Sequence, residues 1–137
     1  MSVLLKGSCL CGNIRFEYSG ELGPITHCHC NQCRKSNGTA FAANCSIDGS
    51  QFNIVAGEDS IKEYESTPGK YRAFCNNCGS PIYSRRDSLS EKLRIRLGLL
   101  DTKIDKKPAF HIFVDSKAEW HEISDELPQY PEIEPGR

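Results

Sequence analysis

Seven of the eight cysteines in this 137-residue chain fall into three tight clusters, and that spacing constrains the fold more than any other feature. Two are doublets, Cys9-Leu10-Cys11-Gly12 and Cys75-Asn76-Asn77-Cys78-Gly79; between them lies the triplet Cys28-His29-Cys30-Asn31-Gln32-Cys33. Zinc binds thiolates at about 2.3 Å and takes four ligands in a tetrahedron. The doublets together supply one complete set, Cys9, Cys11, Cys75 and Cys78. The triplet supplies three corners of a second set and leaves one open. A closed site holds a fold together, whereas an open one has room for chemistry.

Eight cysteines also suit four disulfides in a small secreted domain. The first residues, Met1-Ser2-Val3-Leu4-Leu5-Lys6, lack the apolar run of an export signal, and no stretch is long enough to span a bilayer. We therefore expect a cytoplasmic chain that uses its clustered thiols for metal. With 17 basic and 18 acidic residues the net charge is -1, so no global field favours nucleic acid or an anionic membrane. Cys45, in the apolar stretch Ala40-Phe41-Ala42-Ala43-Asn44-Cys45, has no basic neighbour to hold it as thiolate and reads as buried and inert.

At 137 residues with 38% hydrophobic content, one core and one domain (1–137) are expected. Its core covers about 3–123, and Leu127 to Pro135 carries three prolines, making 124–137 an arm or a frayed tail. The pattern predicts a mainly β chain with little helix. Val3 to Ser8 and Asn13 to Tyr18 form a hairpin whose connection carries Cys9 and Cys11; residues i and i+2 of an extended segment project to one side, about 6.6 Å apart, so a slight bend lets both sulfurs reach one ion. Residues 31 to 38 read as a short helix ending at Gly38. Phe41 to Ile47 and Gln51 to Val55 read as a hairpin about Asp48-Gly49, followed by strands at Ile61–Glu65, Lys70–Cys75, Ile82–Arg85, Leu93–Leu97 and His111–Val114. Strict alternation in Leu93-Arg94-Ile95-Arg96-Leu97 predicts one buried and one wet face.

C-x-x-C-G at Cys75 is the zinc-knuckle spacing, with Gly79 free to take the positive φ that closes the turn. A thioredoxin-like redox pair would need a βαβ context that this pattern lacks. Cys9, Cys11, Cys75 and Cys78 are thus expected to share one structural zinc.

The ordered pattern Gly7-Ser8-Cys9-Leu10-Cys11-Gly12, Cys28-His29-Cys30-Asn31-Gln32-Cys33-Arg34-Lys35 and Phe74-Cys75-Asn76-Asn77-Cys78-Gly79-Ser80 resembles the glutathione-dependent formaldehyde-activating enzyme family, also called the centromere protein V-like family. Pro108-Ala109-Phe110-His111-Ile112, Ser116-Lys117-Ala118 and Trp120 resemble its C-terminal part. The resemblance implies short antiparallel sheets and hairpins around zinc-binding turns, like methionine-R-sulfoxide reductase and a Rab-accessory zinc protein. It implies two zinc ions per chain: a structural one on Cys9, Cys11, Cys75 and Cys78, and a catalytic one on Cys28, Cys30 and Cys33. It also implies carbon–sulfur lyase chemistry joining glutathione and formaldehyde into S-hydroxymethylglutathione, or the reverse.

The residues agree with that chemistry. Three thiolates on a dication make a weak Lewis acid, poor at acidifying water but suited to holding a fourth sulfur deprotonated. A small thiol such as glutathione fits. Arg34 and Lys35 offset the site's negative charge or bind a substrate carboxylate; solvated surface charges are the other reading. His29 is expected to hydrogen-bond beside the site rather than ligate, because neighbouring positions project differently. His27 filling the fourth corner would close the site. His111 reads as a core histidine or a proton shuttle, His121 has no assigned role, and Trp120 reads as core. A non-catalytic zinc module for a protein partner is the alternative function. It would need only the four-cysteine site.

Overall fold

The computed structural model describes residues 4–136, so Val3, expected to open the first strand, lies outside the described residues. In chain order the elements are β1 (Leu5–Ser8), β2 (Arg15–Tyr18), β3 (Ile25–Cys28), α1 (Asn31–Asn37), β4 (Ala42–Asp48), β5 (Phe52–Ala56), β6 (Ile61–Thr67), β7 (Lys70–Cys75), β8 (Pro81–Arg86), β9 (Lys92–Arg96) and β10 (Pro108–Ile112). The class is mainly β, as the sequence pattern predicts. Two compact units emerge: Met1–Gly23 with Cys45–Asp105, and Pro24–Asn44 with Lys106–Arg137.

In the first unit β1 and β2 form the expected antiparallel hairpin, with Leu5 opposite Tyr18 and Ser8 opposite Arg15. Phe16 and Tyr18 alternate with exposed or half-buried neighbours and are themselves buried, the period-2 signature of a strand with one face on a core. β5 corrects an expectation. It pairs with β2, setting Phe16 opposite Ile54, instead of folding back on β4. The segment after Asp48 is a 3-10 turn, Gly49–Gln51, capped by the Asp48 carboxylate accepting from the Ser50 N–H at 2.9 Å, and it directs the chain away from a two-residue hairpin. Phe16 and Phe52 then pack with ring centroids 5.1 Å apart.

Strands β6 to β9 form an antiparallel meander. Its outer end carries a bidentate pair: Arg85 Nη2 and Nε donate to Glu63 at 2.7 and 2.8 Å, and the Tyr83 hydroxyl adds 3.0 Å to the same carboxylate. β9 departs from strict alternation, because Arg96 is buried beside Ile95 instead of facing water.

In the second unit β10 runs parallel to β3, with His111 opposite His27 and Ile112 opposite Cys28. β3 leads directly into α1, which ends at Gly38, whose N–H bonds the Arg34 carbonyl. The proline-rich arm is ordered: the His111 N–H donates to the Pro128 carbonyl at 2.9 Å, and the Tyr130 N–H donates to the His111 carbonyl at 3.0 Å. Trp120 is not core; it is 74% exposed. It follows the last apolar strand but lies on the short turn after Ala118, its ring 6.3 Å from that of His121 at 74°.

Candidate metal centres

The structure gathers the cysteines into two sets. Cys9, Cys11, Cys75 and Cys78 form one, Cys28, Cys30 and Cys33 the other, with the sulfurs in each set within 4.8 Å of one another. Each set can hold a metal ion.

The four-sulfur set is built from two turns of matching design. In one, the Cys9 N–H donates to the Ile14 carbonyl and the Gly12 N–H to the Cys9 carbonyl; in the other, the Cys75 N–H donates to Ser80 and the Gly79 N–H to Cys75. Gly12 at φ 79° and Gly79 at φ 81° make the left-handed step that closes each turn, a step open to glycine without steric penalty. Leu10 N–H to Ser80 Oγ, 3.0 Å, joins the two turns. Backbone donors converge on sulfur: Ile14 N–H on Cys9 at 3.3 Å, and Asn77 and Cys78 N–H on Cys75 at 3.4 and 3.5 Å.

These distances fit a tetrahedral ion. Sulfurs at about 2.3 Å from a common centre lie about 3.8 Å apart; here Cys9 and Cys11 are separated by 3.6 Å, and Cys11 and Cys75 by 3.8 Å. A disulfide needs about 2.05 Å, and all eight cysteines are free thiols. Hydrogen bonds from Ser80 pull the Cys78 thiol down to about 5. The Asn77 side chain lowers Cys11, whereas burial raises Cys9. Cys78 and Cys11 thus ionise more easily than an ordinary thiol, whereas Cys9 favours its thiolate only with a cation beside it.

The three-sulfur set joins the end of β3 to the first turn of α1. Cys30 caps the helix, its sulfur accepting the Cys33 N–H at 3.3 Å, and Cys33 faces inward one turn on. Hydrogen bonding to Cys30 and Cys33, and then burial, push the Cys28 thiol well above the ordinary range. Three packed thiols cannot all ionise against one another; a dication removes that penalty, so the donor set fits a metal. No histidine nitrogen joins these sulfurs within the same distance among the described residues. Cys28 packs with Cys33, Ala42 and Ile112, against which Cys30, Phe110, Phe113 and Tyr130 lie half-buried.

The histidines form a separate assembly. His29 is fully buried, its Nε2 2.8 Å from His111 Nδ1, and His111 Nε2 lies 3.0 Å from the Asp125 carboxylate. A carboxylate only accepts, so His111 donates from Nε2; a neutral His111 then accepts at Nδ1, and His29 donates from its own Nε2. His29 Nδ1 is buried with no partner among the described residues. Burial and the neighbouring His111 pull the His29 pKa down to about 4, and burial lowers His27, so both rings are neutral at pH 7. His27 stacks on Phe41 at 4.1 Å, and His121 lies 5.9 Å from the His29 ring.

Sequence reasoning placed His29 beside the cysteines without ligation, and the geometry agrees. It missed Asp125, His121, Phe41 and the aromatic residues beside Cys28. One signal was available: His27 and His29 alternate with Cys28 and Cys30, which puts imidazoles and sulfurs on opposite sides of an extended segment. Cys45 is buried as expected, its thiol donating to the Gly23 carbonyl at 3.2 Å. Arg34 donates to Asn31 Oδ1 at 3.2 Å, while Lys35 is exposed.

Comparison with known proteins places this geometry. Residues 4–116 match the family model described as glutathione-dependent formaldehyde-activating enzyme. A Halomonas elongata protein named "Putative glutathione-dependent formaldehyde-activating enzyme" is 30% identical over 130 residues, 88% of this chain and 82% of that protein. An "Uncharacterized lyase" of Schizosaccharomyces pombe is 32% identical over 79 residues, 57% of this chain and 55% of that one. The crystal structure of a Rhodobacter sphaeroides protein superposes with a TM-score of 0.59 at 26% identity, covering 73% of this chain and 91% of that chain. The chain with these two sulfur clusters belongs to the glutathione-dependent formaldehyde-activating enzyme family.

Proposed function

We propose that the protein is a zinc-dependent carbon–sulfur lyase that interconverts glutathione plus formaldehyde with S-hydroxymethylglutathione. The observation that carries this reading is the three-sulfur cluster, separate from a four-sulfur set that is complete without it. A fold that needed metal only for stability would use the closed set alone. In this reading Cys9, Cys11, Cys75 and Cys78 hold a structural zinc, and Cys28, Cys30 and Cys33 hold a second. When bound there, zinc supplies a soft, cationic position for an incoming thiolate.

The chain's own residues do the rest. Cys30 serves at once as helix cap and ligand, so α1 fixes the spacing from Cys30 to Cys33. His29 anchors the intervening peptide through His111 and Asp125, which keeps Cys28 and Cys30 from rotating apart. Arg34 and Lys35, in the last turn of α1, offer cationic charge for a glutathione carboxylate. In the forward direction the C–S bond forms between the thiol sulfur and the formaldehyde carbon, and the thiol proton ends on the new hydroxyl. Thiols held on zinc in this way suit a reducing, cytoplasmic setting, which is part of the same proposal; no helix of the described residues is long and apolar enough to cross a membrane.

Metal content and zinc-edge X-ray absorption test this reading. Two zincs per chain and a shift of one of them from three sulfurs to four on adding glutathione are expected. The exposed Trp120 favours a second reading, a zinc module that docks a protein partner. One zinc per chain, with Cys28, Cys30 and Cys33 freely alkylated, would select it.

A further inference from the structure

Phe113 has a backbone conformation that bulky residues avoid. Its φ is 56°, the single positive value for a non-glycine among the described residues. A glycine would sit there without strain, and an aromatic side chain costs stability. The surrounding backbone holds it there: the Phe113 N–H donates to Glu132 at 2.9 Å, the Val114 N–H to Tyr130 at 3.0 Å, and the Ser116 N–H to Phe113 itself at 3.0 Å. Two of these acceptors belong to the C-terminal arm. The same arm brings Tyr130 edge-on to Phe110, with centroids 5.5 Å apart at 84°.

All three rings pack against the buried cluster that contains Cys28 and Cys33, and all three remain half-exposed. On this side of β10 the three-sulfur set meets aromatic carbon, while the imidazoles and Asp125 lie along His111. We propose that Phe110, Phe113 and Tyr130 form a specificity wall for the thiol that enters the three-sulfur site, admitting thiols that carry no charge on the second carbon from sulfur. This rests on the proposed thiol chemistry of the site and sharpens it. Burying a charge against apolar rings is strongly unfavourable, whereas methylene and peptide carbons gain from the contact. In glutathione both backbone groups of the cysteinyl residue are in peptide bonds, so that carbon is neutral; in free cysteine it bears an ammonium and a carboxylate. The wall therefore selects peptide thiols over the amino acid.

The test uses the zinc-loaded full chain and calorimetric titration with glutathione, N-acetylcysteine amide and free cysteine. Wild-type protein is expected to bind the neutral amide at least tenfold more tightly than cysteine. Phe113→Ala and Tyr130→Ala should bring that ratio to within about threefold, and Phe113→Leu should retain most of it. Phe113→Gly should lose selectivity like Phe113→Ala yet melt at a higher temperature, because glycine relaxes the positive φ. That melting difference reads the strain independently of ligand. Equal wild-type affinity for amide and cysteine, or unchanged selectivity in folded Ala variants, overturns the wall while leaving thiol binding intact. Failure of glutathione and every other thiol to bind overturns both proposals.

Discussion

Cys30→Ser separates the observed role of one sulfur as helix cap from its proposed role as zinc ligand. Cys30 caps α1 by accepting the Cys33 N–H, and serine is among the preferred residues at that position, so the helix keeps its cap. Beyond the mass-action loss from weaker zinc binding, folding stability should therefore stay within about 1 kcal/mol of wild type. The three-sulfur set falls to two. Structural zinc contributes about 10–16 kcal/mol through four ligands, roughly 2.5–4 kcal/mol each, so zinc affinity at this site should fall by about 10²–10³-fold. Competition against a chromophoric chelator reads the affinity, metal analysis reads the stoichiometry, and thermal denaturation reads the fold. The expected result is one tightly held ion per chain in a protein that still melts cooperatively. Cys30→Ala should show the same metal loss plus about 1 kcal/mol of destabilisation from the missing cap. A serine variant that keeps two tight ions, or that loses both together with its fold, would refute the division into an open and a closed site.

Cys75→Ser should behave in the opposite way: its fully buried sulfur accepts two backbone N–H groups inside the cluster of Ile14, Ala73 and Ile82, so loss of near-UV dichroism together with metal is expected. Glu63→Gln should cost about 1 kcal/mol in urea denaturation, the upper range for a partly exposed bidentate pair. Hydrogen bonds from Arg85 hold the Glu63 pKa below the ordinary carboxylate value, so the wild-type advantage is full above about pH 5 and fades as pH falls through the lowered value; equal pH profiles for the two proteins would contradict the pairing. Nitrogen-15 spectra at neutral pH should show His111 and His29 both protonated at Nε2, with Asp125→Ala removing that bias and Asp125→Asn, whose carbonyl still accepts, retaining it. Nδ1–H at His29 would reverse the direction derived for the chain.

Local spacing carried most of what was legible beforehand. The doublets and triplet define their sets because residues two or three apart must share a turn, and the helix over residues 31–38 follows from its composition and its terminal glycine, while the Cys30 cap shows only in the structure. Non-local choices were less visible. Asp48-Gly49 has the composition of a hairpin turn, yet β5 leaves β4 for β2, where Phe52 and Ile54 meet Phe16 and Tyr18; the decision lies in which apolar faces need cover, not in the turn residues. Arg96 alternates on paper as a wet position and is buried in the fold. Asp125 reaches His111 across 14 residues, a contact that no local pattern encodes.

The separation of the imidazoles from the three sulfurs depends on strand register. β10 sets Ile112 opposite Cys28 and His111 opposite His27, so imidazole nitrogens and sulfurs project to different sides of β3. A slip of one residue would exchange the two faces and bring an imidazole against the sulfurs, where it could take the fourth corner and close the site. Parallel pairing is slightly less stable per residue than antiparallel, and β10 contains a register shift between Pro108 and Phe110. The C-terminal arm supplies the missing constraint. It bonds both backbone groups of His111 and then grips Phe113 and Val114 in succession, while Asp125 fixes the His111 ring on its own side. The three prolines that rule out regular structure in the arm leave its carbonyls free to accept, and Pro128 and Pro131 both do so, Pro131 from Asp115 at 3.4 Å. The segment with the least regular sequence thus keeps the imidazoles off the sulfur side of β3.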